Sequence, residues 1–364
     1  MKNTFGNSLS ITLFGESHGE MIGAVIDGIT PGITINEDYI AHRLTLRRPA
    51  GKISTQRTES DPFRIVSGLF EGKTTGTPLT ILIPNENTKS QDYSLTRPLA
   101  RPSHADYTAY CKYHGYEDYR GGGHFSGRIT AALVAAGAIL QMALEEKGIK
   151  IATHISRLGK VSDRAFHDYE ADIQQLNNSV FAILDEAVAP AMTKAAEDAA
   201  SEGDSIGGIL ETAVIGMPKG VGEPWFDSIE STLSHALFSI PAVKGVEFGC
   251  GFGFADMKGS EANDPFVLDE QNITTKTNNN GGINGGITNG MPILFRTAIK
   301  PTPSIYKEQK TVNFIENKEA ILEIKGRHDP AIVHRARAVQ DAVTALALAD
   351  ALLLRYGTDW LKNE

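Results

Sequence analysis

Short runs of apolar residues, some alternating with polar ones, predict β-strands in the first part of the chain. The segments with this pattern are residues 9–14, 22–26, 65–69 and 79–83. Turn-forming residues such as Gly15, Gly28 and Pro84 follow them, as expected where strands end. Residues 37–46 predict a helix instead, and Asn36 is in position to cap its N-terminus.

Two longer segments, residues 128–147 and 331–356, are apolar on nearly every side. This pattern predicts helices that are buried on every side. A shorter helix is predicted over residues 227–238, where Asp227 and Glu230 resemble a capping pair. The remaining long segments differ from these. Residues 85–127 have little periodicity but many Asp, Tyr, His, Arg and Gly residues, which is typical of a functional region.

Residues 24–32 and 213–220 have similar sequences, and each lies near the start of one half of the chain. This similarity is consistent with two half-domains, each a sheet that covers buried helices. Residues 160–205 are polar and acidic and predict a peripheral insertion. We therefore expect a single domain over residues 1–364, with halves at roughly residues 1–150 and 205–360 and the insertion at residues 160–205.

The formal net charge is −9, from 35 basic and 44 acidic residues, which argues against nucleic acid as the main partner. Basic residues nevertheless concentrate in one segment: Arg43, Arg47, Arg48, Lys52, Arg57 and Arg64, against Glu59 and Asp61. Such an island suits a small polyanionic ligand, although a solvated basic loop has the same composition.

The two cysteines have no metal-ligand or redox spacing, which indicates a reducing compartment. The N-terminus has no apolar signal core, and the longest apolar run, residues 131–143, is too short to span a bilayer. We expect a cytoplasmic protein without a membrane partner.

Two motifs place a histidine beside groups that could direct a proton. Residues 15–19 match the Gly-x-Ser-x-Gly nucleophile elbow, but a strand follows where an elbow needs a helix. A tight turn that presents Ser17 and His18 to a ligand is the better interpretation. His104 precedes Asp106 by two residues, so the carboxylate could orient the imidazole, supply a metal ligand, or cap the next helix.

Three glycines, residues 121–123, lead into the first buried helix, and a turn of this kind offers backbone N–H groups to phosphate. Residues 278–287 form a second glycine-rich loop, and residues 300–304 follow a predicted strand. Both segments could line a cofactor. The pair Asp329 and Pro330 is typical of a helix start, with Asp329 as the N-cap of the last helix and Pro330 at its first position. Any functional role for Asp329 would be additional.

Taken together, motifs along nearly the whole chain resemble the chorismate synthase family. They occur in family order at residues 15–19, 47–49, 55–57, 90–93, 101–107, 118–123, 203–207, 242–247 and 327–330. The resemblance implies an α+β fold, a β-α-β sandwich in which antiparallel sheets enclose a helical layer with internal pseudo-two-fold symmetry. It also implies a homotetramer.

The implied activity is that of a lyase. It is the anti-1,4-elimination of phosphate from 5-enolpyruvylshikimate 3-phosphate, which gives chorismate in the last step of the shikimate pathway to the aromatic amino acids. The reaction requires reduced FMN without net redox change. The family is also associated with NADP. We expect an external flavin reductase, because nothing in the sequence marks the ability of bifunctional members to reduce their own flavin.

The resemblance assigns roles to residues at matching positions. Catalytic roles fall to His18 as general acid near the departing phosphate, His104 beside the reduced flavin, Asp329 in removal of the C6 proton, and Ser17 and Ser126 as supporting groups. Substrate binding falls to Arg47, Arg48, Lys52, Arg128 and Arg335. Flavin binding falls to His124, Phe125, Ser126, Pro241, Ala242, Gly285, Lys300, Pro301, Thr302, Pro303, Ser304 and Arg327.

The chain departs from the family pattern at His124, Phe125 and Pro241, where Arg, Ser and Asn are usual. Two other classes of protein compete with the lyase. A metal-dependent phosphohydrolase would use His104, Asp106, His124 and Asp329 as ligands, although their spacing is not that of a compact metal site. A non-catalytic flavin-binding protein would not need both His18 and His104.

Overall fold

The computed structural model describes residues 2–49, 60–86, 97–270, 272–324 and 328–362. The α-helices within these residues are α1 (Glu37–Arg47), α2 (Asp106–Tyr113), α3 (Thr130–Glu146), α4 (Tyr169–Asn178), α5 (Ala189–Ser201), α6 (Ile229–Leu237), α7 (Gly259–Ala262) and α8 (Val333–Tyr356). The strands are β1 (Thr4–Phe5), β2 (Ser10–Gly15), β3 (Met21–Asp27), β4 (Arg64–Ser67), β5 (Leu69–Phe70), β6 (Lys73–Thr74), β7 (Leu79–Pro84), β8 (Lys150–Leu158), β9 (Val161–Ser162), β10 (Gly208–Ile215), β11 (Val243–Phe248), β12 (Phe266–Asp269), β13 (Asn272–Thr275), β14 (Ile283–Asn284), β15 (Ile287–Thr288), β16 (Ile293–Ile299), β17 (Gln309–Asn313) and β18 (Lys318–Leu322).

Two antiparallel five-stranded sheets form the outer layers of the molecule. The first has the order β1-β2-β3-β7-β4 and the second the order β11-β16-β10-β8-β9. Strand β7 shows why the first sheet has one buried face, because Leu79, Ile81 and Ile83 are fully buried while the residues between them are not. Apart from small differences at the ends, the strands predicted over residues 9–14, 22–26 and 79–83 are confirmed, whereas the segment 65–69 is divided at Gly68 between β4 and β5.

The helices α3 and α8 lie between the two sheets. Helix α3 packs against β3 and β7, helix α8 packs against β8 and β10, and the two helices pack against each other. At their crossing, a Cβ on Gly137 would overlap Ala342, so glycine permits the close approach of the two backbones. Residues 127–146 are long and apolar enough to cross a membrane, but 78% of that window is buried inside the protein, as in a core helix. The α+β sandwich around a helical layer is confirmed.

The two similar sequence segments occupy equivalent places in their sheets. Strands β3 and β10, which carry them, are each the central strand of a five-stranded sheet. Gly28 and Gly216 follow these strands with φ values of 77° and 79°, and a Cβ on either would overlap a backbone carbonyl oxygen. The division of the chain into two halves with an insertion stays a prediction.

Two capping predictions are wrong. Helix α6 begins at Ile229, and Ser228 caps it by accepting a hydrogen bond from the Ser231 amide, so Asp227 and Glu230 are not a capping pair. Helix α8 begins at Val333 and has Ile332 at its N-cap, so Asp329 does not cap it. In both cases the helix starts later in the chain than the apolar pattern indicates, because the pattern continues into the segment that precedes the helix.

Candidate active site

Ser17 and His18 are the central residues of a tight turn between β2 and β3. The Gly19 amide donates to the Glu16 carbonyl at 3.0 Å and closes the turn. A strand therefore follows the motif, and the strand-to-helix geometry of a nucleophile elbow is absent at this turn. The Ser17 hydroxyl lies 3.1 Å from Nδ1 of His18, which fixes the orientation of the imidazole ring.

The three successive glycines bring two histidines to the same segment of backbone. A Cβ on Gly121 would overlap the His18 ring, and one on Gly122 would lie 3.3 Å from Cε1 of His104. Both glycines have positive φ values, of 59° and 85°. The absence of side chains at these positions therefore allows two imidazoles to flank neighbouring residues, which is a stronger reason for glycine than turn formation alone.

His104 is oriented by a carboxylate, as one of the sequence interpretations proposed. Its Nδ1 donates to Oδ1 of Asp106 at 2.9 Å, and Arg101 donates to the same carboxylate at 2.6 and 2.7 Å. Burial would raise the pKa of Asp106, but the hydrogen bonds from Arg101 and His104 outweigh it and hold that pKa well below its usual value. The carboxylate is therefore charged and keeps the proton of His104 on Nδ1.

Arg47 and Arg128 converge on Asp61, a residue that the sequence analysis did not assign to the site. Nη1 of Arg47 lies 3.3 Å from one oxygen of Asp61, and Nη1 of Arg128 pairs with the other. Arg47 is only 2% exposed, and its remaining groups donate to Thr130 and to the Gly127 carbonyl. Two guanidinium groups are thus held side by side, as a site for an anion with several charges requires.

Arg335 and Asp329 extend this group of charges from the last helix. Nη1 of Arg335 lies 2.8 Å from Asp329, and Nε donates to the backbone carbonyl of Arg47 at 3.1 Å. The Thr302 hydroxyl donates to the Asp329 carbonyl at 3.2 Å. Asp329 therefore forms an ion pair instead of a helix cap. Arg48, the last of the described substrate-binding candidates, donates to the Ser60 carbonyl.

The segment 300–304 contacts the loop that carries His104. Nζ of Lys300 donates to the carbonyl of Ser103 at 2.5 Å, and its backbone amide donates to Ala242, which has a φ of 77°. Burial and the neighbouring Lys244 lower the pKa of Lys300. Lys300 and Lys244 thus place two cationic side chains near each other at this position.

The other predicted flavin-binding residues are less close together. Nδ1 of His124 donates to the Gly15 carbonyl at 2.8 Å, the Phe125 ring is partly exposed beside Tyr113, and Ser126 accepts from the Arg128 amide. Pro241 is exposed next to Ala242, and Pro301, Pro303 and Ser304 belong to the segment described above. Gly285 lies in the turn between β14 and β15, where Gly286 packs against Ser228. Lys52 and Arg327 lie outside the described residues.

These contacts join residues from both halves of the chain into one closed circuit. Its members, in order, are the turn 16–19 that carries His18, then Asn85, Arg128, Asp61, Arg47, Arg335, Asp329, Thr302, Lys300, Ser103, His104, Gly122 and Gly121. Neighbouring members are joined by hydrogen bonds, ion pairs, ring contacts or chain continuity. Asn85, Asp61 and Ser103 are members to which the sequence analysis assigned no role.

The ligand set of a metal-dependent phosphohydrolase is not assembled. His104 pairs with Asp106, His124 donates to a carbonyl, and Asp329 pairs with Arg335. Within the part of the chain that the structure describes, no group of three or more His, Cys, Asp or Glu side chains could hold a metal ion.

The fold and the site together define an α+β protein in which two histidines and several arginines from distant parts of the chain are connected in one region. The sequence model of the family described as chorismate synthase matches residues 9–353. The chain therefore belongs to the chorismate synthase family, and it is a carbon–oxygen lyase.

Curated relatives support this assignment over nearly their whole length. A chorismate synthase from Pyrococcus abyssi is 47% identical over 96% of this chain and 97% of its own. One from Dehalococcoides mccartyi is 46% identical over 98% of both chains. A crystal structure of chorismate synthase aligns with a TM-score of 0.77 and 30% identity, covering 98% of this chain and 94% of the other.

Proposed function

We propose that this chain eliminates phosphate from 5-enolpyruvylshikimate 3-phosphate to form chorismate, with the circuit of residues described above as its active site. One observation carries the assignment of residues: two imidazoles lie beside the same glycine segment, and hydrogen bonds connect that region to three arginines. The substrate has one phosphate and two carboxylates, and this combination of cations and proton donors matches it.

His18 is the general acid for the departing phosphate. Its ring is held by Ser17 and lies against Gly121, so its position does not depend on the substrate. A proton from the imidazole neutralises charge that develops on the leaving oxygen, and this makes phosphate a better leaving group. The turn between β2 and β3 thus presents the acid at the end of a rigid sheet.

The arginines bind and orient the substrate. Arg128 lies in the short turn before α3, and Arg335 lies in the first turn of α8. Arg47 is the last residue of α1, and Arg48 and Lys52 follow it in the sequence. Asp61 and Asp329 hold three of these guanidinium groups in fixed orientations. Fixed cations cost less reorganisation when the anion binds, because their geometry is set in advance.

Reduced FMN is the proposed cofactor, and when bound it would supply transient electron density for the elimination. Lys300, Thr302 and Ser304 would hold it together with Ala242 and the backbone after Gly122, and the cation at Lys300 suits its phosphate. His104, fixed by Asp106, holds a proton beside it. Asp329 assists removal of the C6 proton, and Ser126 supports the turn before Arg128.

The proposal extends to a homotetramer that receives reduced flavin from an external reductase. Large exposed aromatic side chains support self-association, because aromatic residues are enriched at protein interfaces. Trp225, Phe226 and Phe252 are 84%, 90% and 85% exposed. They belong to short helical turns, and burial against a second copy would remove their apolar surface from water.

The test is an anaerobic assay with purified protein, 5-enolpyruvylshikimate 3-phosphate and chemically reduced FMN. We expect phosphate and chorismate in equal amounts, and neither product when the FMN is oxidised. Phosphate without chorismate would identify a hydrolase instead. Flavin binding without either product would mean that the chain binds FMN but does not perform this reaction.

A further inference from the structure

The side chain of Asn85 connects the turn of His18 to Arg128. Its Nδ2 donates to the carbonyls of Glu16 and Gly19, both at 2.9 Å. Its Oδ1 accepts from Nε of Arg128, also at 2.9 Å. The amide group of Asn85 therefore donates two hydrogen bonds to the turn and accepts one from the arginine.

The position of Asn85 follows from the sheet. Strand β7 pairs with β3 so that Pro84 lies opposite Met21, and Asn85 is the first residue beyond that pair. The Asn85 backbone amide donates to Glu20 at 3.1 Å, which continues the strand contact by one residue. The side chain consequently reaches the turn at the start of β3.

The Asn85 side chain contacts both ends of the turn. Glu16 and Gly19 are the first and fourth residues, and Ser17 and His18 lie between them. A group that binds both terminal carbonyls restricts the whole turn, including the direction of the His18 side chain. The same group also sets the direction of Arg128, because Nε is the nitrogen closest to the backbone.

We propose that Asn85 is a positioning residue that sets the geometry between the proton donor His18 and the substrate-binding Arg128. The inference rests on the proposed function for the roles of those two residues. Asn85 does not touch the reacting atoms and acts through its neighbours. Displacing a catalytic group by about 1 Å can lower a rate by roughly 10²-fold, so a group that sets this geometry affects the rate.

Asn85→Asp separates the two contacts. The carboxylate still accepts from Arg128 but has no N–H to donate, so it leaves the two turn carbonyls without their partner and repels them. We expect the single-turnover rate of phosphate release to fall about 10- to 100-fold, while KM stays within about threefold of the wild-type value. Asn85→Ala removes both contacts, and we expect the rate to fall and KM to rise.

Asn177→Asp is the matched control. The Asn177 amide likewise donates to a backbone carbonyl, of Ile151 at 3.2 Å, and accepts from an arginine, Arg43, at 2.8 Å. The Asn177→Asp replacement makes the same chemical change outside the circuit, and we expect the rate of phosphate release and KM to be unchanged. Thermal unfolding shows whether each variant is folded. If Asn85→Asp does not fold, the rate of Asn85→Ala tests the inference instead.

Activity of the wild-type protein comes first, because its absence would refute the proposed function and not the inference about Asn85. If the wild-type protein is active, a folded Asn85→Asp variant with a rate within twofold of wild type would overturn the inference. A higher KM with an unchanged rate would also overturn it, because Asn85 would then serve substrate binding alone.

Discussion

Two histidines, His104 and His154, each contact an aspartate through Nδ1 but differ in their other contacts. Nδ1 of His104 lies 2.9 Å from Asp106, and Nδ1 of His154 lies 2.9 Å from Asp163. The second nitrogen of His154 also contacts a carboxylate, that of Glu211 at 3.0 Å, and the ring is completely buried. The corresponding edge of His104 faces Gly122 in the active site, and the side chain is 19% exposed.

The difference shows that a His–Asp pair alone does not define a catalytic site. At His104 the carboxylate orients the ring, and the other edge faces Gly122 in the proposed active site. At His154 both nitrogens are used within the protein, so the ring joins β8, β10 and the segment that contains Asp163. The first arrangement suits proton management, and the second suits structural stability.

Among the replacements that separate the two histidines, we expect His154→Ala to have the largest effect on stability. The replacement leaves the carboxylates of Asp163 and Glu211 without their shared partner in a buried place. We expect the free energy of unfolding to fall by about 3–5 kcal/mol, as is typical when one member of a buried ion pair is removed. Urea unfolding at pH 6 measures this loss, and turnover by the fraction that remains folded should be unchanged.

His42→Ala is the control for that loss. His42 is exposed and has a backbone carbonyl, that of Asn177, within hydrogen-bond distance. Its replacement should change the free energy of unfolding by less than about 0.5 kcal/mol. Equal losses in the two variants would contradict the structural role assigned to His154.

For His104→Ala we expect the opposite result, a large loss of activity with little loss of stability. We expect kcat to fall about 10²- to 10³-fold, equivalent to about 3–4 kcal/mol of transition-state stabilisation, because an oriented proton-carrying group is lost. The midpoint of thermal unfolding should change little, since Asp106 keeps its three hydrogen bonds from Arg101. Turnover measured with saturating reduced FMN tests this, and a large loss of stability with normal turnover would assign His104 to structure.

Much of the fold follows from local pattern. The run of apolar residues in α3 and the alternation in β7 each reflect the environment of the segment itself, and both predict the element. The bounds of helix α2 were missed, because Ala109 is its one buried residue and the segment shows no clear apolar face. The role of Asp329 as a cap was wrong because capping is decided where the helix actually begins.

The site is predictable only in part, since its contacts join distant positions. His104 and Asp106 are two residues apart, so spacing alone suggested their pairing. Asp61 and Arg128 are 67 residues apart, and Asn85 and Arg128 are 43 apart. Nothing in the local sequence around Asn85 or Asp61 indicates these pairs, because the sheet order brings them together.

The smallest expected effect is a dependence of stability on pH that distinguishes the two histidines. Burial alone would lower the pKa of His154, but the hydrogen bonds to Asp163 and Glu211 outweigh it and raise that pKa above 6.5. A raised pKa means that the folded state holds this proton more tightly than the unfolded state. The stabilisation is therefore complete below pH 6.5 and is lost as the pH rises through the higher folded value.

For Asp163 the sign is opposite. Burial would raise its pKa, but the bonds from His154 and from the amides of Leu184 and Asp185 lower it below 3.8. Its contribution is present above pH 3.8 and is lost as the pH falls through the lower folded value. The ion pair is thus most stabilising between these two limits, at mildly acidic pH.

Urea unfolding of the wild-type protein and of His154→Gln between pH 6 and 9 isolates the contribution of His154. The difference in unfolding free energy should shrink as the pH rises, by at most about 1.4 kcal/mol per pH unit for one group. Glutamine is the suitable replacement because it is neutral and retains polar atoms near both carboxylates. Parallel curves would mean that folding does not shift the pKa of His154, and its second carboxylate would then no longer explain why this histidine differs from His104.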